Sequence, residues 1–206
     1  MRLFVGIALA DVVVRELEQV VARLRSRGSE MRWTEPDSWH ITLQFLGNTT
    51  PDQYACLMEQ LGGVRSAPVP VQLGSLGCFE RAGVFFADVE ATPGLAALGR
   101  SVVATTGRCG FAAETRPFHP HITLARKAGN KGPREQGNKK PNPPAPDVRA
   151  GHGGTFKELV ARAGAARPFT RFTAREFLLY ESHLGAERAR YEVRGRFPLI
   201  GPGSDA

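Results

Sequence analysis

One short motif that contains a histidine and a threonine occurs twice in this chain. The letters HITL stand at residues 40–43 and again at residues 121–124, which is 81 residues later. Both copies lie in strand-like surroundings, WHITLQFLG and HPHITLARK. Side chains alternate along a strand, so the histidine and the threonine of each copy share one face while the isoleucine and leucine share the other. Each copy therefore predicts an imidazole beside a hydroxyl on one face, anchored by apolar residues in a core.

These residue types predict acid–base chemistry on an anion. Histidine exchanges a proton near neutral pH, so two histidines that face one ligand can act as acid and base together. Threonine hydroxyls can donate to phosphate oxygens, and an arginine can add a charge-assisted contact. A single His-x-Thr on a strand is most often an ordinary polar face, but two matching copies favour a site. The candidate catalytic residues are His40, Thr42, His121 and Thr123, and the candidate substrate-binding residue is Arg126.

Strand and helix patterns alternate along the rest of the chain. Apolar residues alternate with a period of two in the strand-like runs 3–9, 69–73, 84–89, 172–184 and 190–197. Helical spacing at residues 17–24 is followed by Gly28, a suitable C-terminal cap. Further helix starts are predicted at Thr50, where Gln53 completes a capping box, at Thr92, and at a capping box that begins at Thr155. We expect an α+β fold, or a mixed α/β fold, with much antiparallel pairing.

Composition sets the broad class of the protein. The chain has 206 residues, 42% apolar and 23% charged, which excludes an intrinsically disordered protein. No apolar run reaches the roughly 18 to 20 residues of a membrane helix, and the N-terminus lacks the small-residue cleavage site of a signal peptide. A cytoplasmic location is therefore expected. The three cysteines, Cys56, Cys78 and Cys109, are far apart and predict small buried residues rather than a disulfide framework or a zinc site.

A basic segment interrupts the globular pattern at residues 127–155. It contains six Gly, five Pro and four apolar residues, and it carries +4 of the net charge of +7. Such a segment cannot bury enough surface to offset the entropy of ordering it, so we expect a flexible loop. Two interpretations stay open: a tolerated insertion, and a mobile arm that contacts nucleic acid.

Two other classes of function remain possible on the residues alone. His119 and His121 lie two residues apart and can point to one Zn²⁺, but Pro120 intervenes and no carboxylate or cysteine stands at ligand spacing. A non-catalytic RNA-binding module would use the basic segment, but the strands lack regularly spaced aromatic residues for base stacking. We therefore favour the two-histidine site.

Four blocks of the sequence together resemble one family. They are RLFVGIAL at 2–9, RWTEPDSWHITLQFLG at 32–47, PFHPHITLAR at 117–126, and FLLYESHLGAERARYEVRGRFPL at 177–199. In this order they resemble the two-histidine phosphoesterases, and within them the RNA 2',3'-cyclic phosphodiesterases, also called 2'-5' RNA ligases. The segment 127–155 departs from the family pattern, because it is longer and richer in proline and glycine.

The resemblance implies a fold, a reaction and a set of roles. The implied fold is a single domain over residues 1–206, with two pseudo-symmetric αβ lobes whose antiparallel sheets flank a cleft and whose helices lie outside. The implied reaction opens RNA 2',3'-cyclic phosphate ends to 2'-phosphomonoesters, with 2'-5' ligation as its reverse. His40 would be the proton donor and His121 the proton acceptor, while Thr42, Thr123 and Arg126 hold the phosphate. The resemblance implies no metal and no cofactor, a monomer, no membrane, and RNA partners that include tRNA-derived ends.

Overall fold

The computed structural model describes residues 1–25, 31–127, 169–184 and 189–201. The described part of the chain contains three helices and ten strands. The helices are α1 (Asp11–Arg25), α2 (Pro51–Gly62) and α3 (Pro93–Gly107). The strands are β1 (Arg2–Ala8), β2 (Met31–Trp33), β3 (His40–Asn48), β4 (Val69–Val71), β5 (Leu73–Phe79), β6 (Val84–Val89), β7 (His121–Lys127), β8 (Phe172–Ala174), β9 (Glu176–Leu184) and β10 (Ala189–Pro198).

Two four-stranded sheets form the body of the fold. The first has the order β10-β9-β1-β3 and the second the order β2-β7-β6-β5, while β4 and β8 form a separate pair. Every strand pair in the described residues is antiparallel. The α+β class predicted from the sequence is therefore confirmed.

The two sheets repeat one unit around the two motifs. In the first, β1 leads through α1 to β3, and β1 and β3 pair side by side. In the second, β6 leads through α3 to β7, and β6 and β7 pair in the same way. This correspondence is the pseudo-symmetry that the resemblance implied.

Apolar stripes fix the helices against the sheets. The stripe of α1 is buried at Val13, Leu17, Val20, Val21 and Leu24. The predicted capping box of α2 is present: the Thr50 hydroxyl accepts from the backbone N–H of Gln53, whose side chain accepts from the backbone of Thr50. Thr92 caps α3 by accepting from the backbone N–H of Leu95. The predicted caps at Gly28 and Thr155 lie outside the described residues, as does all of the basic segment after Lys127.

Two predicted strands are each divided in the structure. The run 69–73 becomes β4 and the start of β5, and the run 172–184 becomes β8 and β9. The short strands β4 and β8 pair only with each other, so the chain changes sheets at both breaks. No helix among the described residues has the length and apolar character needed to cross a membrane.

The prediction for the cysteines is wrong. Cys56 of α2 and Cys109, just after α3, form a disulfide across a sequence separation of 53 residues. The two helices pack against each other, so residues distant in sequence become neighbours. Cys78 in β5 is half-buried and takes no part in this disulfide. The spacing of the cysteines could not show this pairing, because it depends on how α2 and α3 dock.

Candidate active site

Each HITL copy begins a strand, and both strands carry the same irregularity. His40 is the first residue of β3 and His121 the first residue of β7. Opposite the threonines, Gly6 pairs with Thr42 and Phe86 pairs with Thr123. In both strands the register shifts just beyond the threonine. The apolar residues between are fully or almost fully buried at positions 41, 43, 122 and 124, so both histidines and both threonines face the other way, as predicted.

A crossover brings the two motif strands together. The strand β2 belongs to the second sheet and pairs with β7, yet only six residues separate its last residue, Trp33, from His40 in the first sheet. The Thr34 hydroxyl lies 2.8 Å from the carbonyl oxygen of Thr123 and 2.9 Å from that of Leu124. The indole of Trp39 donates to the same hydroxyl at 2.9 Å. The residues just before the first motif are therefore bonded to the strand of the second.

His40 lies in an aromatic environment over a glycine. A Cβ on Gly6 would lie only 2.8 Å from the carbonyl oxygen of Ile41, so the close approach of β3 to β1 beside His40 requires a glycine at this position. The rings of Phe4, Tyr180 and Tyr191 surround the imidazole, with centroids 4.5, 5.8 and 5.1 Å from that of His40.

The tautomer and the pKa of His40 follow from its contacts. Nδ1 lies 2.8 Å from the carbonyl oxygen of Ser38, and because a carbonyl only accepts, Nδ1 carries the proton. The other nitrogen, Nε2, is left to exchange protons. Burial lowers the pKa of His40 to about 4; the hydrogen bond to Ser38 opposes this shift, and the charges of His121 and Arg126 add to it.

His121 has the same tautomer but different neighbours. Its Nδ1 lies 2.8 Å from the carbonyl oxygen of His119, so Nδ1 again donates and Nε2 is left to exchange protons. Its ring meets those of Phe79 and Phe86 edge-on, at 5.1 and 5.4 Å between centroids. Asp88 stands directly opposite His121 in the sheet, where the first sheet has Ala8 opposite His40.

Burial also lowers the pKa of His121. The hydrogen bond to the His119 carbonyl opposes the shift, the charges of His119 and Arg126 add to it, and the carboxylate of Asp88 opposes it. Both histidines are therefore less basic than usual, and only His121 has an opposing carboxylate among the causes of its shift.

The charge of Arg126 acts on both histidines, because it lowers the pKa of each of them. Burial lowers the pKa of Arg126 itself; Tyr191 opposes this shift and Arg32 adds to it. Arg32 pairs with Arg126 across β2 and β7, so two cations occur side by side at this point. The arrangement suits a bound anion.

Two sets of side chains in the described residues are of the types that can ligate a metal. Nε2 of His119 donates to Oδ1 of Asp88 at 2.9 Å, so β6 supplies a carboxylate beside this histidine that the sequence spacing did not show. The second set is a group formed by Glu181, His183 and Glu192. Arg194 already forms ion pairs with both of those glutamates, and its guanidinium lies over the ring of Tyr54 on α2, away from the motif histidines.

A comparison of the whole chain with family models decides its family. The model of the 2'-5' RNA ligase superfamily matches residues 11–146, a range that includes both HITL copies. The chain belongs to the 2'-5' RNA ligase superfamily. The resemblance stated from the four sequence blocks is thereby confirmed.

Relatives within the superfamily support this assignment. The chain is 30% identical over 202 residues to the RNA 2',3'-cyclic phosphodiesterase of Geobacillus stearothermophilus, a match that covers 94% of the chain and 57% of the relative. The chain thus spans little more than half of that relative's length. It is also 30% identical over 129 residues to the protein of the same name from Archaeoglobus fulgidus, covering 61% of the chain and 72% of the relative.

A solved structure is similar to the whole chain. The apo form of E. coli LigT superposes with a TM-score of 0.70 at 25% identity, and the match covers 96% of each chain. The chain therefore shares its overall fold with E. coli LigT.

The sequence named five candidate site residues but not several of the residues that surround them in the structure. In the structure the charges of His121 and Arg126 both lower the pKa of His40, and Thr42 and Thr123 lie on the same strand faces as their histidines. The structure adds Gly6 beneath His40, Tyr191 beside His40 and Asp88 opposite His121. A glycine in an otherwise apolar strand was the one visible signal, since such a glycine often marks a close approach.

Proposed function

We propose that the protein is an RNA 2',3'-cyclic phosphodiesterase that opens cyclic phosphate ends to 2'-phosphomonoesters. One observation carries the proposal: His40 and His121 each fix Nδ1 on a backbone carbonyl two residues earlier and share the charge of Arg126. Such a pair can give and take a proton at one phosphate. The names of the relatives support the same reaction.

In the proposed step a water oxygen attacks the phosphorus while the bond to the 3' oxygen breaks. Nε2 of His121 takes a proton from the water, and Nε2 of His40 gives a proton to the departing 3' oxygen. The phosphate stays on the 2' oxygen. Thr42, Thr123 and Arg126 stabilise the negative charge that grows on the phosphoryl oxygens, a contribution that is often the largest in such reactions.

Electrostatics support this division of roles. The group that accepts a proton becomes an imidazolium, and a nearby carboxylate stabilises that state. Asp88 stands opposite His121, whereas the small neutral Ala8 stands opposite His40. A depressed pKa makes the His40 imidazolium a strong acid, and the bound phosphate anion favours its protonated form.

The finer parts of the proposal follow from the same site. With a 5'-hydroxyl in place of water as the nucleophile, the same site forms a 2'-5' linkage: His121 takes the proton of the hydroxyl, and His40 protonates the departing 3' oxygen. Neither reaction requires a metal or cofactor in this scheme. The proposed partners are RNA ends, including tRNA-derived ends, and the proposed state is a monomer formed by a single bilobal domain. The proposed location is the cytoplasm, although the Cys56–Cys109 disulfide is unusual for a reducing compartment.

The deciding experiment is incubation with a nucleoside 2',3'-cyclic phosphate in the presence of EDTA, followed by identification of the product isomer. A 2'-phosphate supports the proposal. A 3'-phosphate would show that the 2' oxygen departs instead of the 3' oxygen, which contradicts the proposed step. Binding of RNA without turnover would favour a non-catalytic RNA-binding module instead.

A further inference from the structure

Arg32 and Arg126 form a pair of like charges in the second sheet. The two residues stand directly opposite each other in the antiparallel pair of β2 and β7. Side chains in such positions have Cβ atoms about 4.5 to 5.5 Å apart, and like charges there are destabilising. Burial lowers the pKa of Arg126, and the charge of Arg32 lowers it further. The pair is therefore unfavourable to the fold until an anion binds beside it.

No carboxylate of the described residues forms an ion pair with Arg32 or Arg126. Ion pairs in that part of the chain are formed instead by other arginines, namely Arg25, Arg116, Arg194 and Arg196. A pair of cations that acidic side chains leave uncompensated is suited to a ligand that brings its own negative charge.

Both arginines lie on the face of the sheet that carries the second motif histidine. The next residues of the two strands, Trp33 and Ala125, also stand opposite each other and pack against the core, where the Trp33 ring lies 5.9 Å from that of Phe85. Alternation turns Arg32 and Arg126 to the opposite face. Because the charge of Arg126 lowers the pKa of both motif histidines, Arg32 stands next to a group that acts on the candidate site.

The surroundings of this pair favour a ligand with more than one negative charge. β2 is the edge strand of its sheet, so a ligand at Arg32 can continue outward without crossing a further strand of the described residues. A third cation, Arg2 of β1, acts on the same region: burial raises the pKa of Tyr191, and the charges of Arg126 and Arg2 oppose this rise. Cations from three strands thus contribute to a positive potential that attracts a polyanion.

An RNA end with a 2',3'-cyclic phosphate has a second anion nearby, the phosphodiester that joins its last nucleotide to the chain. We propose that Arg32 binds this phosphodiester while Arg126 contacts the cyclic phosphate. The inference rests on the proposed function, because it places the cyclic phosphate at the two histidines. It makes the ends of RNA chains better substrates than nucleoside cyclic phosphates, which have only one phosphate.

Three substrates separate the second phosphate from the rest of the RNA. Adenosine 2',3'-cyclic phosphate has the cyclic phosphate alone, and the dinucleotide ApA with a 2',3'-cyclic phosphate end adds the charged diester. The same dinucleotide with a methylphosphonate linkage keeps both bases and removes the charge of the diester. The wild-type KM should be about 10- to 100-fold lower for the charged dinucleotide than for the neutral one, the size of a hydrogen bond to a charged group.

Replacing Arg32 should abolish the difference between the two dinucleotides. R32A should raise KM for the charged dinucleotide to about the value for the neutral one. R32K should retain part of the difference, because it keeps the charge but loses the planar fork that fits a phosphate. In R32A the slope of log KM for the charged dinucleotide against log salt should be smaller by about 0.7, since one phosphate contact of a single strand is lost.

The matched control is R15A, which also removes one positive charge. Arg15 is an exposed residue of α1, and the buried stripe of that helix packs into the same core as Ile41, on the side away from the motif histidines. R15A should keep the wild-type difference between the two dinucleotides. Thermal unfolding of each variant verifies that the fold persists.

Three results would overturn the inference. Equal wild-type KM values for the two dinucleotides would show that the charge of the diester is not recognised, and this comparison needs no variant. A full wild-type difference in R32A would assign the diester to another cation. An equal rise of KM for all three substrates in R32A would assign Arg32 to the cyclic phosphate instead.

Binding of a reaction product separates this inference from the proposed function. Calorimetry compares ApA that ends in a 2'-phosphate with its methylphosphonate-linked counterpart, in wild type and in R32A. Arg32-dependent preference for the charged product, without turnover of any cyclic phosphate, would support the phosphodiester site and contradict the phosphodiesterase. Turnover of all three substrates without such a preference would support the phosphodiesterase and contradict the phosphodiester site.

Discussion

The two lobes hold their histidines by the same backbone device and surround them differently. In both, Nδ1 donates to the carbonyl two residues earlier, at 2.8 Å. In the first lobe that carbonyl belongs to a short 3-10 turn, Pro36–Ser38, fixed locally by Ser38. In the second lobe it belongs to His119, whose side chain is bonded across the sheet to Asp88.

This difference shows that matching motifs do not imply matching protonation. Both imidazoles donate through Nδ1, but His40 is surrounded by aromatic rings and has Ala8 opposite it, whereas His121 has Asp88 opposite it. A carboxylate favours the charged imidazole and an apolar surrounding favours the neutral one. The repeated motif supplies two identical proposed reacting groups, and their different neighbours favour different protonation states of the two histidines.

The largest expected effect comes from removing either histidine. H40A and H121A should each lower kcat/KM on a 2',3'-cyclic phosphate by about 10² to 10⁴, the usual contribution of one general acid or base. The double variant should lose less than the product of the two, because both act in one step. H183A is the control, since this exposed imidazole belongs to the ion-pair group near α2. Near-normal activity in either single variant would show that the histidine replaced in it is not a catalytic residue.

Arg126 should come next in size. R126K keeps the charge but loses the planar fork that fits a phosphate, so kcat should fall by about tenfold while ground-state binding changes less. T42V and T123V each remove one hydroxyl at nearly constant volume, and their equivalent positions predict similar losses. Steady-state kinetics of the three variants test this, and an unaltered kcat in R126K would assign Arg126 to structure.

The lowered pKa values predict an acid-shifted pH profile. In the free enzyme both histidines titrate below the ordinary value of 6.5, His40 at about 4. The bell of kcat/KM should therefore have both limbs below pH 6.5. The bound phosphate anion raises both pKa values, so the bell of kcat should lie at higher pH. Coincident kcat and kcat/KM profiles centred above pH 7 would contradict the electrostatics described here.

Asp88 offers the sharpest test of the difference between the lobes. In D88N the carboxylate that opposes the lowering of the His121 pKa is gone, so that pKa falls further. The limb of the kcat/KM profile that belongs to His121 should move to lower pH, with a loss of about tenfold or less at neutral pH. D52N, which removes an exposed carboxylate in the first turn of α2, is the control. An unchanged pH profile in D88N would mean that the Asp88 carboxylate does not affect the pKa of His121.

The disulfide should have the smallest effect on activity. Cys56 and Cys109 join α2 to the end of α3, and neither is among the proposed catalytic residues. C56S with C109S should lower the free energy of unfolding by about 2 to 4 kcal/mol, because a closed loop of this length no longer restricts the unfolded chain. The value of kcat at 25 °C should stay the same. Loss of turnover in a folded double variant would connect the α2–α3 packing to the site.

The sequence allowed the strands of the site to be predicted, but not their surroundings. Alternation alone placed the histidines and threonines on one face and the isoleucines and leucines in the core. The outward turn of Phe45 and Arg126 escaped prediction, because strict alternation from Thr42 or Thr123 puts each of them on the core face, and only the register shift reverses this. Asp88 escaped prediction because its position opposite His121 depends on a pairing between strands separated by α3.

The order of strands in the first sheet has a consequence for biosynthesis. All strands of the second sheet lie between residues 31 and 127, so that sheet can assemble while the chain is still being made. In the first sheet, β1 from the start of the chain lies between β3 and β9, and β9 begins only at Glu176. The sheet that holds His40 can therefore be completed only after β9 and β10 have been synthesised. A nascent chain released before residue 176 would carry both histidines but have one exposed edge on β1, which makes late truncations prone to aggregation.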